Sequence, residues 1–134
     1  MAGRPAKPIW VCFMKNCLIL DDSNSIRKVT GRILEGLDFT VSEADCEASA
    51  LAACETEMPD CVIVDWQVPD LDSLRFLKML RGMPGGDRPK IVYCLSENDP
   101  MSVAKAIRHG ADGHMLKPFD KDTLKSSFKA VGLL

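Results

Sequence analysis

The chain has no apolar run near the roughly 18 residues that suggest a membrane span, so neither a spanning helix nor a membrane partner is expected from its 134 residues. It has no CxxC pair. Neither histidine, His109 or His114, has a second histidine or a cysteine at ligand spacing, which argues against a zinc site. There is no surplus of one charge: 17 Lys+Arg against 19 Asp+Glu give a formal net charge of −2, so a basic footprint for nucleic acid is missing. Internal repeats and low-complexity tracts are absent too. What is present, 46% hydrophobic and 27% charged residues, is ordinary globular composition. The length suits one domain with a sizeable core and leaves little room for a second.

Six cysteines occur, at Cys12, Cys17, Cys46, Cys54, Cys61 and Cys94. Cys17, Cys61 and Cys94 lie inside hydrophobic runs, where a thiol behaves as a small core residue. All six are expected to be reduced thiols of a cytoplasmic protein. Residues 1–13 carry two prolines, and the apolar stretch from Ile9 to Met14 is too short for a signal peptide. They are expected to be a leader or extension outside the fold, with the domain running over residues 14–134.

From Asn16 onward, short apolar runs alternate with segments of helical period. Cys17–Leu20, Thr40–Ala44, Cys61–Val64, Ile91–Leu95 and Gly113–Leu116 read as strands. The second is weaker, because Ser42 and Glu43 interrupt it; the third shows no alternation, as expected when both faces are covered. Helices are expected over Ser25–Leu37, with Ile26, Val29, Ile33 and Leu37 on one face, and over Ala48–Glu57, stopped by Met58-Pro59. A third is marked by Leu74, Leu77 and Leu80, and Ser73 is suited to cap it. A fourth begins with Asp99 as cap and Pro100 in the first turn and ends before Gly110; the last carries Leu124, Phe128 and Val131. Strict alternation of five strands and five helices implies a doubly wound parallel α/β sheet with helices on both faces.

Four of these strands end in polar residues: Asp21 and Asp22 after Leu20, Asp65 after Val64, Ser96 after Leu95, and Lys117 after Leu116. In open α/β sheets the ligand crevice lies beyond the carboxyl ends of the strands. Carboxylates gathered there need a cation, and with oxygen ligands alone the natural choice is Mg²⁺. Lys117 offers a compact positive charge to a phosphoryl oxygen, Ser96 a hydroxyl, and a carboxylate among them could form an aspartyl phosphate. Taken singly, each aspartate could instead be a turn or cap residue, and Lys117 a surface lysine. Their joint placement at strand ends favours a site.

The segments Leu-Ile-Leu-Asp21-Asp22-Ser, Val-Ile-Val-Asp65-Trp-Gln-Val-Pro69-Asp-Leu-Asp72, Val-Tyr-Cys-Leu-Ser96 and Met-Leu-Lys117-Pro118-Phe119 resemble, in order and separation, those of response-regulator receiver domains. In style the chain is closest to single-domain chemotaxis regulators of the CheY type, with their flavodoxin-like fold. The resemblance covers Met14 to Leu134. It implies that Asp65 is the phosphoacceptor and that Asp21 and Asp22, with Asp65 and the backbone carbonyl of Gln67, hold Mg²⁺. It implies also that Ser96 and Lys117 engage the phosphoryl group and that the Lys117–Pro118 bond is cis. The partners implied are a sensor histidine kinase or phosphotransfer protein and a downstream target bound through the fourth helix, fifth strand and fifth helix. Such a protein is a phosphoacceptor switch of two-component signalling, not an enzyme beyond phosphotransfer to itself and loss of its own phosphoryl group.

Three positions depart from the usual pattern. His114 stands where the family usually has an inward-swinging Tyr or Phe: it is either a modulator of the switch or an exposed residue at a sheet edge. Glu97, beside Ser96, is bulky where a small residue is usual, and could obstruct small phosphodonors and attacking water, or simply face solvent. Ser73 replaces a common glycine. Trp66 is expected to be a partly exposed ring flanking the site, Asp60, Asp70 and Asp72 to be turn and cap residues, and Met79, Met83, Met101 and Met115 to pack in the core or at its rim. Two other classes stay open. One is a phosphorylation-independent adaptor. The other is a small Mg²⁺ phosphatase, disfavoured because Gln67 rather than a second acidic group stands two residues after Asp65.

Overall fold

The computed structural model describes residues 14–65, 72–97 and 99–134. The expectations for residues 1–13, Trp66, Gln67 and Asp70 lie outside the described residues. The elements alternate as expected: β1 (Asn16–Leu20), α1 (Asn24–Gly36), β2 (Thr40–Ala44), α2 (Glu47–Thr56), β3 (Cys61–Asp65), α3 (Ser73–Gly82), β4 (Lys90–Leu95), α4 (Pro100–Arg108), β5 (Gly113–Leu116) and α5 (Lys121–Ala130). The strands form one parallel sheet in the order β2-β1-β3-β4-β5. The chain direction across the sheet reverses between β1 and β3, the switch point at which doubly wound folds bind ligands.

The side chains of the strands divide by parity. Leu18, Leu20, Val62, Val64, Ile91, Tyr93 and Leu95 face one core, with Ala50 and Cys54 of α2, Phe76, Leu77 and Leu80 of α3, and Val103 and Ala106 of α4. Cys17, Ile19, Cys61, Ile63, Val92, Cys94 and Met115 face the other, with Leu34 of α1 and Leu124 and Phe128 of α5. Each fully buried Leu, Ile, Val or Phe contributes roughly 1.5–3 kcal/mol of transfer free energy. The three middle strands carry no alternation of polar residues because both faces are covered. β2 is an edge strand and only half buried, which is why Ser42 and Glu43 are tolerated in it.

Three local expectations are corrected, for the cap of α3, for the face of α1 and for the packing of Met79 and Met101. The cap of α3 is Asp72, whose carboxylate accepts from the Arg75 amide at 3.1 Å; Ser73 is the first helical residue. In α1 the buried residues are Thr30, Gly31 and Leu34, whereas Ile26 and Val29 are 36% and 56% exposed. Ile33 and Leu37 do pack against the core, but the first turns of α1 stand at the rim where β1 ends, with less sheet beneath them. Met115 is buried and Met83 packs against the core, while Met79 and Met101 are exposed.

The start of α4 is set as expected, with Asp99 accepting from the amides of Met101 and Ser102 and Pro100 in the first turn. Its far end is clasped by Arg81 of α3. That guanidinium donates to the carbonyls of Gly86, Pro89 and Gly110 and to the Asp112 carboxylate. Gly110 has φ 118°, and a Cβ there would lie 2.9 Å from Arg81 Cγ, so this close approach needs glycine.

Candidate functional site

The register places the polar strand ends. Leu20, Val64, Tyr93 and His114 form one row across β1, β3, β4 and β5. Asp65 and Cys94 are paired in the next row, which Asp21 enters one residue after Leu20; its amide still donates to the Ala44 carbonyl at 3.1 Å. Ser96 and Lys117 follow Leu95 and Leu116, themselves paired, so they stand two rows further out. Asp21, Asp65, Ser96 and Lys117 share the parity of Cys17, Cys61 and Cys94, which turns them to the α1 and α5 side of the sheet. Lys117 therefore overhangs the carboxylates and can reach back to both. Its Nζ donates to Asp21 Oδ2 at 2.7 Å and lies 3.1 Å from Asp65 Oδ2.

Asp21 is held at every polar atom. Besides the amide bond to Ala44 and the Lys117 contact, its Oδ1 accepts from the Ser23 amide at 2.9 Å, and its carbonyl accepts from Arg27 Nη1 at 2.6 Å. Asp21 and Asp65 are buried, 3% and 5% exposed, whereas Asp22 is exposed. Carboxylate oxygens of all three lie within 4.8 Å of one another. Burial alone would make the Lys117 ammonium easier to deprotonate, but its hydrogen bond to Asp21 and the charge of Asp65 outweigh that and raise its pKa. The Lys117–Pro118 peptide is cis.

This donor set fits Mg²⁺. It offers clustered carboxylate oxygens, one of them open to solvent, and a hard, reluctantly dehydrated ion prefers a few carboxylates plus waters. The neighbouring Cys94 thiol does not compete as a soft ligand. Burial pushes its pKa up to about 12, against the lowering effect of Lys117, so it stays protonated.

Beside the cluster opens a cavity of about 480 Å³, lined by Ser25, Ile26, Val29 and Thr30 of α1, by Ser96 and Lys117, and by Pro118 and Phe119. Ser96 and Lys117 thus face one cavity, as their parity requires. Glu97, which follows Ser96 in the chain, is exposed. His114 is exposed on the edge strand β5, one row below the Asp65–Cys94 pair and in register with Tyr93. The expected Gln67 carbonyl ligand and the Trp66 ring lie outside the described residues. The five described cysteines, Cys17, Cys46, Cys54, Cys61 and Cys94, are free. Among the described residues no helix is long and apolar enough to cross a membrane.

Sequence reasoning missed two features. The exposed pair Ile26 and Val29 carries an apolar signal that in sequence is indistinguishable from the buried face of a helix. Arg27, which grips the Asp21 carbonyl, carried none, because its role depends on where β2 places Glu43.

Fold and site together define a doubly wound parallel α/β protein with an acidic cluster bridged by one lysine at the switch point of a 2-1-3-4-5 sheet. The family profile of the response regulator receiver domain matches residues 17–129, and the chain belongs to that family. It is similar to the KDP operon transcriptional regulatory protein KdpE of Escherichia coli K12, at 32% identity over 118 residues, 88% of this chain and 51% of the relative. Chemotaxis protein CheY-3 of Vibrio cholerae is 27% identical over 115 residues, 85% of this chain and 88% of that protein. The chain spans about half the length of KdpE and of the phosphate regulon regulator PhoB of Klebsiella pneumoniae, 51% of each. Among solved structures, the chemotaxis response regulator CheY4 of Vibrio cholerae superposes with a TM-score of 0.82 at 28% identity, covering 88% of this chain and 98% of that one. The protein is a receiver domain of two-component systems, with a CheY-like fold.

Proposed function

We propose that this receiver domain is a phosphorylation switch in which Asp65 accepts a phosphoryl group from the phosphohistidine of a sensor histidine kinase or phosphotransfer protein. The observation that carries the reading is the bridging of Asp21 and Asp65 by Lys117 within a three-carboxylate cluster. Asp21, Asp22 and Asp65, with the Gln67 backbone carbonyl, would hold Mg²⁺, whose charge offsets that of the carboxylates and of the incoming phosphoryl oxygens. An Asp65 carboxylate oxygen forms the new O–P bond while the donor N–P bond breaks, its electron pair returning to the imidazole nitrogen. Lys117 exchanges a carboxylate partner for a phosphoryl oxygen, and the Ser96 hydroxyl donates to another.

The change is then read by a target protein on the face formed by α4, β5 and α5. Support for that face comes from Met101, Ile107 and Leu116, which are 71%, 50% and 40% exposed there. Glu97 and His114 modulate the switch from its rim. The free cysteines suit action in the cytoplasm.

The test is fluorescence of Trp66, the neighbour of Asp65, in a Trp10→Phe background. Mg²⁺ is added, then beryllofluoride, with Asp65→Asn alongside. A Mg²⁺ response followed by a saturable beryllofluoride change that Asp65→Asn abolishes supports the switch. No response to either ion points instead to a phosphorylation-independent adaptor.

A further inference from the structure

The most heavily engaged side chain near the acidic cluster belongs to a residue that takes no part in the switch as described above. Arg27 of α1 has its side chain only 13% exposed and divides its guanidinium among three residues. Nη1 donates to the Asp21 carbonyl at 2.6 Å, Nε to Glu43 Oε1 of β2 at 3.1 Å, and Nη2 to Asn24 Oδ1 at 3.3 Å. Glu43 is itself held by Lys28 at 2.8 Å, and it sits in register with Ile19 of β1.

The Asp21 carbonyl belongs to the peptide plane that joins Asp21 to Asp22. Its direction fixes where the backbone delivers Asp22. The two aspartates differ in what holds them. The Asp21 carboxylate is anchored by Ser23 and Lys117. Asp22 is exposed, and that peptide plane sets the point from which its side chain reaches the cluster. A guanidinium fixed by Glu43 and Asn24 leaves the plane little freedom.

We infer that Arg27, braced by Glu43, is a positioning residue that holds the Asp21–Asp22 peptide so that both carboxylates serve one divalent cation. The inference rests on the reading of the acidic cluster as a Mg²⁺ site. Partners that orient a metal ligand typically change metal affinity roughly 10–100-fold when lost.

The sign of the effect separates positioning from simple charge. Arg27 places a cation beside an acidic cluster, so Coulomb repulsion alone predicts that removing it tightens Mg²⁺ binding. Positioning predicts the opposite. The experiment titrates Mg²⁺ alone into the full chain, by Trp66 fluorescence and by calorimetry, for the wild type, Arg27→Gln, Arg27→Lys, Glu43→Gln and Lys28→Met. Urea midpoints are measured beside each titration.

Arg27→Gln is expected to weaken Mg²⁺ about tenfold. Arg27→Lys, able to reach one acceptor, recovers part of the loss. Glu43→Gln weakens binding less than Arg27→Gln but in the same direction, and Lys28→Met, which loosens Glu43 while leaving the Arg27 contact to the Asp21 carbonyl, weakens it no more than Glu43→Gln does. Arg27→Gln binding Mg²⁺ as tightly as the wild type, or more tightly, with its fold intact overturns the inference. So does Lys28→Met weakening it equally. If Arg27→Gln does not fold, Arg27→Lys, which keeps the charge and changes the contacts, decides by the same criteria. A wild type without Mg²⁺ affinity overturns the metal-site reading and this inference with it. A wild-type response lost in Asp65→Asn yet unmoved by the Arg27 and Glu43 variants overturns the inference alone.

Discussion

Lys117 Nζ lies 2.7 Å from Asp21 Oδ2 and 3.1 Å from Asp65 Oδ2, joining the ends of two strands that are neighbours at the switch point of the sheet. One ammonium shared by two carboxylates leaves the cluster under-neutralised. With Asp22 included there are three carboxylates against one ammonium, a formal surplus of two negative charges. A divalent cation carries the complementary charge. Lys117 is thus a partial counter-ion of the cluster.

The raised pKa of Lys117 sets a sign for the dependence of stability on pH. Its ordinary value is 10.5, and the Asp21 and Asp65 contacts carry it above that despite burial. As pH rises, the unfolded chain gives up this proton first. The stability Lys117 contributes is therefore fully present below the ordinary lysine range and is lost as pH climbs through the raised folded value. Lys117→Met should be less stable than the wild type at neutral pH, with the difference narrowing in alkali and on addition of Mg²⁺. Urea midpoints followed from about pH 7 to about pH 12 measure this; parallel curves for the two proteins would count against it.

Glu97 adds an exposed carboxylate one residue beyond Ser96. A dianionic donor such as acetyl phosphate meets its charge, worth about 1 kcal/mol at close range in water, or about fivefold in rate. Glu97→Ala should be labelled by acetyl phosphate about fivefold faster and lose its phosphoryl group sooner. Time courses of labelling and decay that coincide with those of the wild type would mean that Glu97 simply faces solvent.

Arg81 satisfies the carbonyls of Gly86, Pro89 and Gly110 together with Asp112. Arg81→Met keeps the aliphatic stem but strips hydrogen bonds from partly buried carbonyls, at a cost of about 2–4 kcal/mol. Urea unfolding would register this as a lower midpoint. A shift below about 0.5 kcal/mol, the range of ordinary surface changes, would show that water replaces the guanidinium at little cost.

The rim of α1 should behave as surface although it is apolar. Ile26→Thr and Val29→Thr should each change stability by less than about 0.5 kcal/mol, whereas Leu34→Ala, fully buried, costs about 2–5 kcal/mol. Thermal melts of the three variants distinguish the exposed first turns from the buried face. A large loss for Val29→Thr would mean that the cavity is more tightly closed than its exposure indicates.

Much of this was legible because it depends on local periods. Runs such as Cys61–Val64 announced strands covered on both faces, and Asp99-Pro100 with Gly110 marked the ends of α4. The polar strand ends were legible as a group for the same reason. Features that require two distant segments in register were not. Arg27 becomes informative only when β2 brings Glu43 beside it, and the exposure of Ile26 and Val29 depends on where β1 stops relative to α1. Asp72 and Ser73 were both plausible caps by residue type, and the backbone chose the earlier one.

The shared parity of Asp21, Asp65, Ser96 and Lys117 has a consequence for how such a chain can change in length. Inserting residues in the loops that lead from a helix into the next strand moves none of these side chains to another side of the sheet. Inserting a single residue within β3 before Asp65 would turn its carboxylate toward α3, away from the ammonium, because neighbouring positions on a strand face opposite ways. Two residues would restore the side but raise the carboxylate by about 6.6 Å. The loops that enter the strands are therefore free to vary in length, whereas the strands and the first residues beyond them are calibrated spacers.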